Sequence, residues 1–400
     1  MRPQRPQQPM RTPAAGRSLA VLLLFMAPAL AGAPSPARAQ LYAPPPTSLL
    51  IDTSIRSAAM GGASAAVFWG EPGAWANPAT LAGVNGIGWV TGNTHILPGL
   101  DDQVEFSSQR LLLGYGGLGL SFMGQPISGL GKAKIDYGPI ALPLGGEGFS
   151  PYDLSEGWGV GVSPLHLIET ARKLAGMRPA GLTRYGDVVV GYQAKDSKGL
   201  IDPNFPLTEV ETYDWGVGGR LALARWWGPD APFRLDLSGG YSELNVLKSH
   251  SSAYASSTVE IGRTGFALHL SPAPPSERSA SPPSLPWWRP GDVPELSIGL
   301  AYDHDERREE PFGVTFPGVD HYGFEATVFR LLALRVGYVS DRYFEVDGVT
   351  YGGALTVPIG PWGSVGYQLA SVPFTEGFDR QFRQGWSVWV DPTRFWSDSR

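Results

Sequence analysis

The chain has 400 residues, no cysteine, and a formal net charge of −6 from 31 basic and 37 acidic residues. The lack of cysteine excludes a disulfide framework, and the acidic balance argues against nucleic acid as a partner. Glycine is abundant at 52 residues, and there are 13 Trp and 15 Tyr. Since no shift in composition divides the chain, its length suits one large closed sheet.

Residues 1–39 are predicted to be a secretory signal peptide. Four Arg in the first 17 residues precede an apolar run from Leu19 to Leu30, and Ala37-Arg38-Ala39 supplies a small-x-small cleavage site. The apolar run is too short to cross a membrane as a helix, and no other run of 18 apolar residues follows. We therefore expect an exported chain that starts near Gln40 and has no helical anchor.

Residues 40–85 are predicted to form a separate hatch segment. The stretch 58–82 is small and apolar, with Glu71 as its one charged residue, but its four Gly and two Pro fit neither a helix nor a strand. An apolar segment with an irregular backbone needs burial and hydrogen-bond partners from outside itself. We therefore expect this segment to be a plug enclosed by the rest of the protein. The alternative is an ordinary surface loop. The residues assigned to the hatch site are Met60, Gly61, Gly62, Ala63, Asn77, Pro78 and Ala79.

Residues 86–390 alternate apolar and polar side chains with a period of two, the pattern of half-buried strands. Alternation alone fits a soluble sandwich as well as a barrel. The signal peptide, strand lengths near ten residues and aromatics at the strand ends favour a barrel with lipid outside and a polar lumen inside. The fold class is therefore all-β, a transmembrane antiparallel barrel of about 14 strands with the hatch in its lumen. The predicted strands are 86–95, 104–114, 116–124, 156–163, 183–194, 213–225, 232–241, 258–270, 294–304, 320–328, 331–340, 349–357, 361–370 and 381–390.

The connections are predicted to differ between the two barrel ends. Strand parity gives short periplasmic turns at 114–116, 226–231, 329–330 and 358–360, and longer polar extracellular loops at 125–155, 195–212, 242–257 and 305–319. Two periplasmic connections break this rule: one holds a short helix around Leu165–Leu174, and the other, 271–294, is rich in proline.

Polar side chains on the inward phase of the strands form the predicted lumen set. They would either line a polar path or pair with one another and with hatch carbonyls, and pairing is the favoured interpretation. The set comprises Arg220, Arg234, Asp236, Arg263, Glu325, Arg335 and Gln368.

The last strand carries a candidate assembly signal. In Arg383 to Val390, the residues Gly385, Val388 and Val390 fit polar-x-Gly-x-x-apolar-x-apolar, which resembles the signal read by the barrel-assembly machinery. The alternative is one more amphipathic strand, and residues 391–400 follow as a tail.

No catalytic or metal site is predicted. The six His are scattered, with only His269 on an inward phase, and no Gly-x-Ser-x-Gly elbow occurs. The acidic run from Asp303 to Glu310 could hold Ca²⁺ on a flexible loop, but a solvated loop is the favoured reading. The chain is therefore predicted not to be an enzyme and to need no cofactor. Trp226-Trp227, Trp287-Trp288 and Trp362 are interpreted as a membrane-interface girdle.

Two stretches carry a family resemblance. Residues 56–63 read Arg-Ser-Ala-Ala-Met-Gly-Gly-Ala and residues 77–82 read Asn-Pro-Ala-Thr-Leu-Ala. This start resembles that of FadL-like and PorV-like outer-membrane barrels. Gly323-Phe324-Glu325 followed by residues 331–338 resembles a late hairpin of PorV-type members.

The resemblance implies an outer-membrane barrel of 14 strands with an N-terminal hatch. Its FadL side implies passive uptake of hydrophobic small molecules, and its PorV side a barrel that receives or shuttles secreted proteins within a secretion system. A soluble secreted β protein with a structural or adhesive role is the third alternative. Expected partners are outer-membrane lipid, the assembly machinery, and a hydrophobic small molecule or secretion-system proteins.

Overall fold

The computed structural model describes the chain from residue 47 to residue 391 with gaps. The described ranges are 47–97, 101–123, 132–138, 150–178, 180–200, 208–223, 233–250, 258–272, 296–310, 313–329, 331–342, 346–359, 362–373 and 380–391. Within them, one antiparallel sheet contains 15 strands. The strands are β1 (Gly86–Leu97), β2 (Asp101–Tyr115), β3 (Leu118–Met123), β4 (Lys132–Asp136), β5 (Tyr152–Val162), β6 (Gly186–Leu200), β7 (Thr208–Ala222), β8 (Phe233–His250), β9 (Thr258–Pro272), β10 (Leu296–Glu310), β11 (Val314–Val328), β12 (Leu332–Asp341), β13 (Val346–Ile359), β14 (Gly363–Val372) and β15 (Gln381–Val390).

The sheet closes on itself. β1 pairs with β2 on one side and with β15 on the other, where Ile87 lies opposite Val390 and Thr94 opposite Arg383. Closure leaves no free edge, so the backbone polar groups of neighbouring strands satisfy one another. This is the condition under which strands can cross a bilayer.

β3 and β4 share one position in the wall. β2 pairs with β3 through Leu111 and Phe122, and with β4 through Gln109 and Lys132, and both short strands also pair with β5. The barrel therefore has 14 strand positions and one extra strand, which confirms the predicted number. β4 was missed inside the predicted connection 125–155, because five residues are too few for a period of two to stand out.

The outer face carries an apolar band that ends at a row of aromatic rings. Along β10 the outward side chains are Leu296, Ile298 and Leu300, all exposed. The next is Tyr302, whose ring lies 5.1 Å from that of Tyr322 on β11. An apolar band bounded by aromatic rings is the lipid face of a transmembrane barrel.

Beyond the aromatic row the strands continue, and this corrects the predicted loops. The connections at 195–212, 242–257 and 305–319 shrink to 201–207, 251–257 and 311–313. The acidic run that starts at Asp303 lies on β10, where Arg307 pairs with Asp341 and Arg308 with Glu260. The prediction failed because both strand faces are polar outside the lipid, so the alternation disappears although the ladder goes on.

In the part of the chain that the structure describes, two α-helices and three 3₁₀ turns accompany the sheet. The helices are α1 (Ile55–Ala59) and α2 (Pro164–Leu174), and the turns are Thr47–Leu49, Pro78–Gly83 and Leu182–Arg184. α2 confirms the predicted helix after β5. Within the described ranges, no helix is long and apolar enough to span a bilayer.

Several predicted features lie outside the described residues. They are the signal peptide 1–39, the proline-rich residues 273–295, Trp226-Trp227, Trp287-Trp288 and the tail beyond Asp391. Trp362 is described and lies in the turn before β14, where its carbonyl accepts a hydrogen bond from the N–H of Asp391.

The assignment of the lipid face predicts different effects on stability for arginine substitutions at two positions of β10. Ile298→Arg places a charge deeper within the apolar band, where an arginine costs about 2–4 kcal/mol near the bilayer midplane. Glu306→Arg lies on the same strand beyond the aromatic row, where the side chain is exposed, and should be tolerated. The free energy of unfolding in lipid vesicles, measured by urea titration, checks both. Equal losses at the two positions would contradict the band.

Candidate functional site: the hatch and the lumen wall

The hatch segment, residues 47–85, is buried against the inner wall of the barrel. Its small apolar residues are almost fully inaccessible, with Ala59, Ala63, Ala65, Ala74 and Ala79 each at 0% exposure. Local caps shape it: Ser54 accepts a hydrogen bond from the N–H of Ser57 to begin α1, and Asn77 does the same for Ala79 at the 3₁₀ turn. The hatch thus has defined turns and one short helix, α1, but no strand and no long helix.

Glycines on the inward phase make room for this backbone. Six of them pair directly across neighbouring strands, and we call this row the glycine ladder: Gly86, Gly114, Gly119, Gly161, Gly191 and Gly216. A Cβ atom on Gly119 or Gly161 would collide with Leu81, and one on Gly191 with Pro78. A strand glycine marks a close backbone approach, and here the approaching chain is the hatch turn 78–83.

Two shorter glycine rows receive the rest of the hatch. Gly218, Gly240 and Gly265 pair across β7, β8 and β9 and face Phe68 and Ala65, while Gly323 and Gly337 pair across β11 and β12 and face Met60 and Gly61. Gly61 and Gly62 themselves have φ of 69° and 93°, a left-handed conformation that favours glycine. Five of the seven predicted hatch residues lie against these rows: Met60, Gly61, Asn77, Pro78 and Ala79. Gly62 instead faces His321, and Ala63 belongs to an apolar cluster with Ala267 and Ala301. Sequence reasoning missed the rows, although glycine recurs on the inward phase of successive strands.

Asn77 joins two parts of the hatch to the wall. Its side chain is fully buried, and its Nδ2 donates to the carbonyl oxygens of Ala65 at 2.8 Å and Val217 at 3.2 Å. Its Oδ1 accepts from the N–H of Ala79 at 3.0 Å. A Cβ atom on Gly216 would collide with this side chain. Every polar atom of the Asn77 amide is therefore used.

Glu325 of β11 is the centre of the first ion network. Its carboxylate accepts two hydrogen bonds from Arg56 of the hatch, at 2.8 and 2.7 Å, and one from Arg335 of β12 at 2.7 Å. The indole Nε1 of Trp69 donates to the same carboxylate at 3.1 Å. Burial opposes the charge of Arg56, but Glu325 outweighs it and raises the pKa of this guanidinium. The hatch is thus fixed to the wall by a charge-assisted bidentate contact.

The network extends to Glu71, an acidic residue of the hatch. Arg335 donates to Gln368 Oε1 at 3.1 Å, and Gln368 Nε2 donates to Glu71 Oε2 at 2.6 Å. Three residues of the predicted lumen set, Glu325, Arg335 and Gln368, therefore meet in one network with Arg56 and Glu71.

A second network surrounds Asp305 on β10. Arg263 donates to both carboxylate oxygens, at 2.5 and 2.7 Å, and His321 Nε2 lies 3.1 Å from the same group. His321 Nδ1 lies 2.6 Å from the carbonyl oxygen of Gly61, so the imidazole connects the hatch with this ion pair. The expectation that only His269 faces inward was wrong. His321 lies next to the start of the predicted strand 320–328, where the alternation of apolar and polar residues is too short to show which side chains face inward.

Asp303 of β10 accepts hydrogen bonds from the hatch backbone. The N–H groups of Ser64 and Ala65 both donate to Asp303 Oδ2, at 2.7 and 2.8 Å. The inner wall thus satisfies the irregular hatch backbone.

The remaining predicted lumen residues form a third group, near the barrel end where α2 lies. Asp236 accepts from Arg234 at 2.8 Å and from Arg220 at 3.5 Å. His269, directly opposite Asp236, stacks on Trp69 with ring centroids 4.7 Å apart. All seven residues of the set therefore face inward with partners.

The residues of the candidate assembly signal lie on β15, where the barrel closes. Val388 and Val390 pair with Trp89 and Ile87 of β1, and Gly385 faces inward, where a Cβ atom would meet Ile55 and the backbone of Thr91. Their role in assembly stays a prediction.

One Ser, His and Asp cluster has the wrong geometry for hydrolysis. In a catalytic triad the histidine bridges the acid and the serine. Here Asp187 bridges the other two, at 2.7 Å from Ser163 Oγ and 3.2 Å from His166 Nδ1, and the serine caps α2. Among the described residues, no group of three or more His, Asp or Glu side chains is placed to hold a metal ion.

An apolar cluster lines the inner wall near the position that β3 and β4 share. It consists of Trp75 from the hatch with Val104, Phe106, Met123, Ala133 and Ile135 from the wall. Ile51, Ile96 and Tyr137 pack against it. The Lys195 ammonium lies 4.0 Å from the Trp75 ring centroid and is paired with Asp214 at 2.6 Å.

No family model matches this chain, and no curated protein matches it. Three solved structures are similar over most of its length. They are the CymD monoaromatic hydrocarbon channel (TM-score 0.44, 12% identity, 86% of this chain and 98% of that one), the Ralstonia pickettii toluene transporter TbuX (0.39, 12%, 84% and 98%) and the P. putida toluene transporter TodX (0.34, 10%, 84% and 96%). Independently of them, the closed sheet, the apolar band and the internal hatch define this chain as a transmembrane β-barrel with a hatch packed on its inner wall.

Removing the shared carboxylate should destabilise the hatch contact strongly. Glu325→Gln leaves two buried guanidinium groups facing each other, and breaking a buried ion pair costs about 3–5 kcal/mol. Glu209→Gln is the control, because its pair with Lys198 is exposed and exposed pairs contribute little. Urea unfolding in vesicles gives both free energies. Similar stabilities for the two variants would mean that the network does not hold the hatch.

Adjacent glycines on β8 should respond differently to alanine. Gly240→Ala places a methyl group against the Ala65 carbonyl and 2.9 Å from Asn77 Nδ2, so hatch or wall must shift. Gly239→Ala points outward, where the nearest atoms are 3.7 Å away. We expect faster proteolysis within the hatch of the first variant only. Equal cleavage rates in both variants would contradict the close approach.

Proposed function

We propose that this protein is an outer-membrane channel, FadL-like in outline, that passes small hydrophobic molecules and uses the hatch to close its lumen. The observation that carries the proposal is the apolar cluster on the inner wall. A channel for polar solutes has a polar, water-filled interior, whereas an apolar ligand is stabilised by about 25 cal/mol for each Å² of apolar surface removed from water. Phe106, Met123 and Ile135 offer such a surface.

Trp75 couples this surface to the hatch. It covers the cluster from the lumen side, so displacing it exposes an apolar site large enough for one aromatic ring. Lys195 lies over its ring at a cation–π distance and is itself fixed by Asp214. A ligand that replaces Trp75 would therefore act on the hatch directly.

The proposal assigns residues 1–39 to export, 40–85 to the hatch, 86–390 to the barrel and 391–400 to a tail. Outer-membrane lipid and the barrel-assembly machinery are its partners, and the protein catalyses no reaction. The shuttle alternative is less well supported, because no contact among the described residues points to a protein cargo. The exposed apolar band argues against the soluble alternative.

Uptake by whole cells tests the proposal. Cells that make the intact protein should take up a radiolabelled monoaromatic hydrocarbon several-fold faster than cells that lack it. Ile135→Asn makes the cluster polar and should abolish most of this gain. Ile261→Asn, at a buried apolar position outside the cluster, should keep it.

Migration of unboiled samples on a gel confirms that each variant is folded. Uptake by the intact protein no faster than the background, or equal uptake by the two folded variants, would contradict the proposal.

A further inference from the structure

α2 has an apolar face that is largely exposed among the described residues. At 100° per residue, one side of the helix and its capping residue presents Pro164, Leu167, Ile168, Ala171, Leu174 and Ala175. Ile168 is 48% exposed and Leu174 75%. An exposed apolar helix face of this kind marks an interaction surface.

α2 packs on the barrel through two polar residues, His166 and Thr170, whereas Lys173 is exposed. His166 is buried beside Asp187, and Thr170 Oγ1 donates to the Gly116 carbonyl at 3.1 Å. Glu169 accepts hydrogen bonds from the N–H groups of Ala180 and Leu182. A helix on a water-soluble protein buries its apolar stripe, whereas α2 packs on the barrel through His166 and Thr170 and leaves Ile168 and Leu174 exposed.

The exposed face continues the lipid band of the barrel. The outward residues at this end of the neighbouring strands are also apolar and exposed: Tyr115, Leu118, Tyr185 and Val188. Met177 and Leu182, which follow the helix, are exposed as well. The apolar surface of the wall thus runs onto α2 at the edge of the bilayer.

The charges of this connection are those that a lipid surface attracts. Residues 163–185 contain four basic side chains, Arg172, Lys173, Arg178 and Arg184, and one acidic side chain, Glu169, in a chain whose net charge is −6. Long basic side chains extend from an apolar surface to the headgroup layer. Anionic headgroups bind such clusters, and each charge near the surface contributes about 1 kcal/mol.

We propose that α2 lies in the plane of the membrane surface and docks on the anionic phospholipid headgroups of the bilayer that the barrel crosses. Ile168, Ala171 and Leu174 enter the boundary between headgroups and acyl chains, as in interfacial amphipathic helices. The barrel is then anchored at one depth at its α2 end. This docking does not depend on what the channel transports.

Single cysteines test the proposal cleanly, because the chain has none of its own. Ala171→Cys places an environment-sensitive fluorophore on the apolar face, and Lys173→Cys places it on the opposite side of the same helix. Both variants are reconstituted in vesicles of phosphatidylcholine with phosphatidylglycerol. We expect the label at position 171 to be quenched several-fold more by doxyl-labelled lipid than the label at 173, and the label at 173 to be quenched several-fold more by aqueous iodide.

Vesicles of phosphatidylcholine alone should weaken the lipid quenching at position 171, because the headgroups then carry no net charge. Ile168→Cys repeats the test at a second position if Ala171→Cys fails to fold. Equal iodide quenching on both sides of the helix would overturn the proposal and leave the face for a protein partner or a second copy. Lipid quenching that is independent of the anionic lipid would overturn the headgroup assignment.

Discussion

The rest of the structure depends on the requirement that an irregular peptide inside a closed wall needs both space and hydrogen-bond partners. The wall cannot carry a side chain where the hatch lies directly on it, and the paired glycines from Gly114 to Gly216 leave that space. The buried hatch backbone also needs hydrogen-bond acceptors there, because burying an N–H group without an acceptor costs free energy. Asp303 of the wall accepts hydrogen bonds from the N–H groups of Ser64 and Ala65, and within the hatch Asn77 accepts one from the N–H of Ala79. The two devices together explain how so irregular a segment is held.

The buried charges fix where the hatch lies rather than adding much net stability. Taking ions out of water costs free energy, and a buried ion pair often stabilises no more than well-packed apolar residues would. Breaking such a pair is nevertheless costly. The pairing of Arg56 with Glu325 therefore restricts the positions that the hatch can adopt. On the opposite side of the lumen, Trp75 rests on apolar residues, where contacts are less directional. The hatch is hydrogen-bonded to the wall on this side as well, because Ser48 donates to Asp153 and Arg110 donates to Thr53.

The strand number and the lipid face could be predicted because lipid demands an apolar residue at every second position, as at Leu296, Ile298 and Leu300. Arg263 with Asp305 and Glu325 with Arg335 are directly opposite on neighbouring strands, so their pairing follows once the register is known. The extensions beyond the bilayer could not be predicted, because water imposes no such pattern there. Contacts such as Lys195 with Trp75 depend on how the hatch folds and have no signature in the sequence.

Planar-bilayer conductance tests the central claim, that the hatch closes the lumen, most directly. Deleting residues 41–82 leaves β1, β15 and the whole of the wall intact, so the barrel should still assemble, as unboiled gel migration would show. The account predicts that the intact protein conducts few ions and that the truncated barrel conducts steadily, because its charged wall is then open to water. A truncated barrel that assembles and is as silent as the intact protein would contradict it.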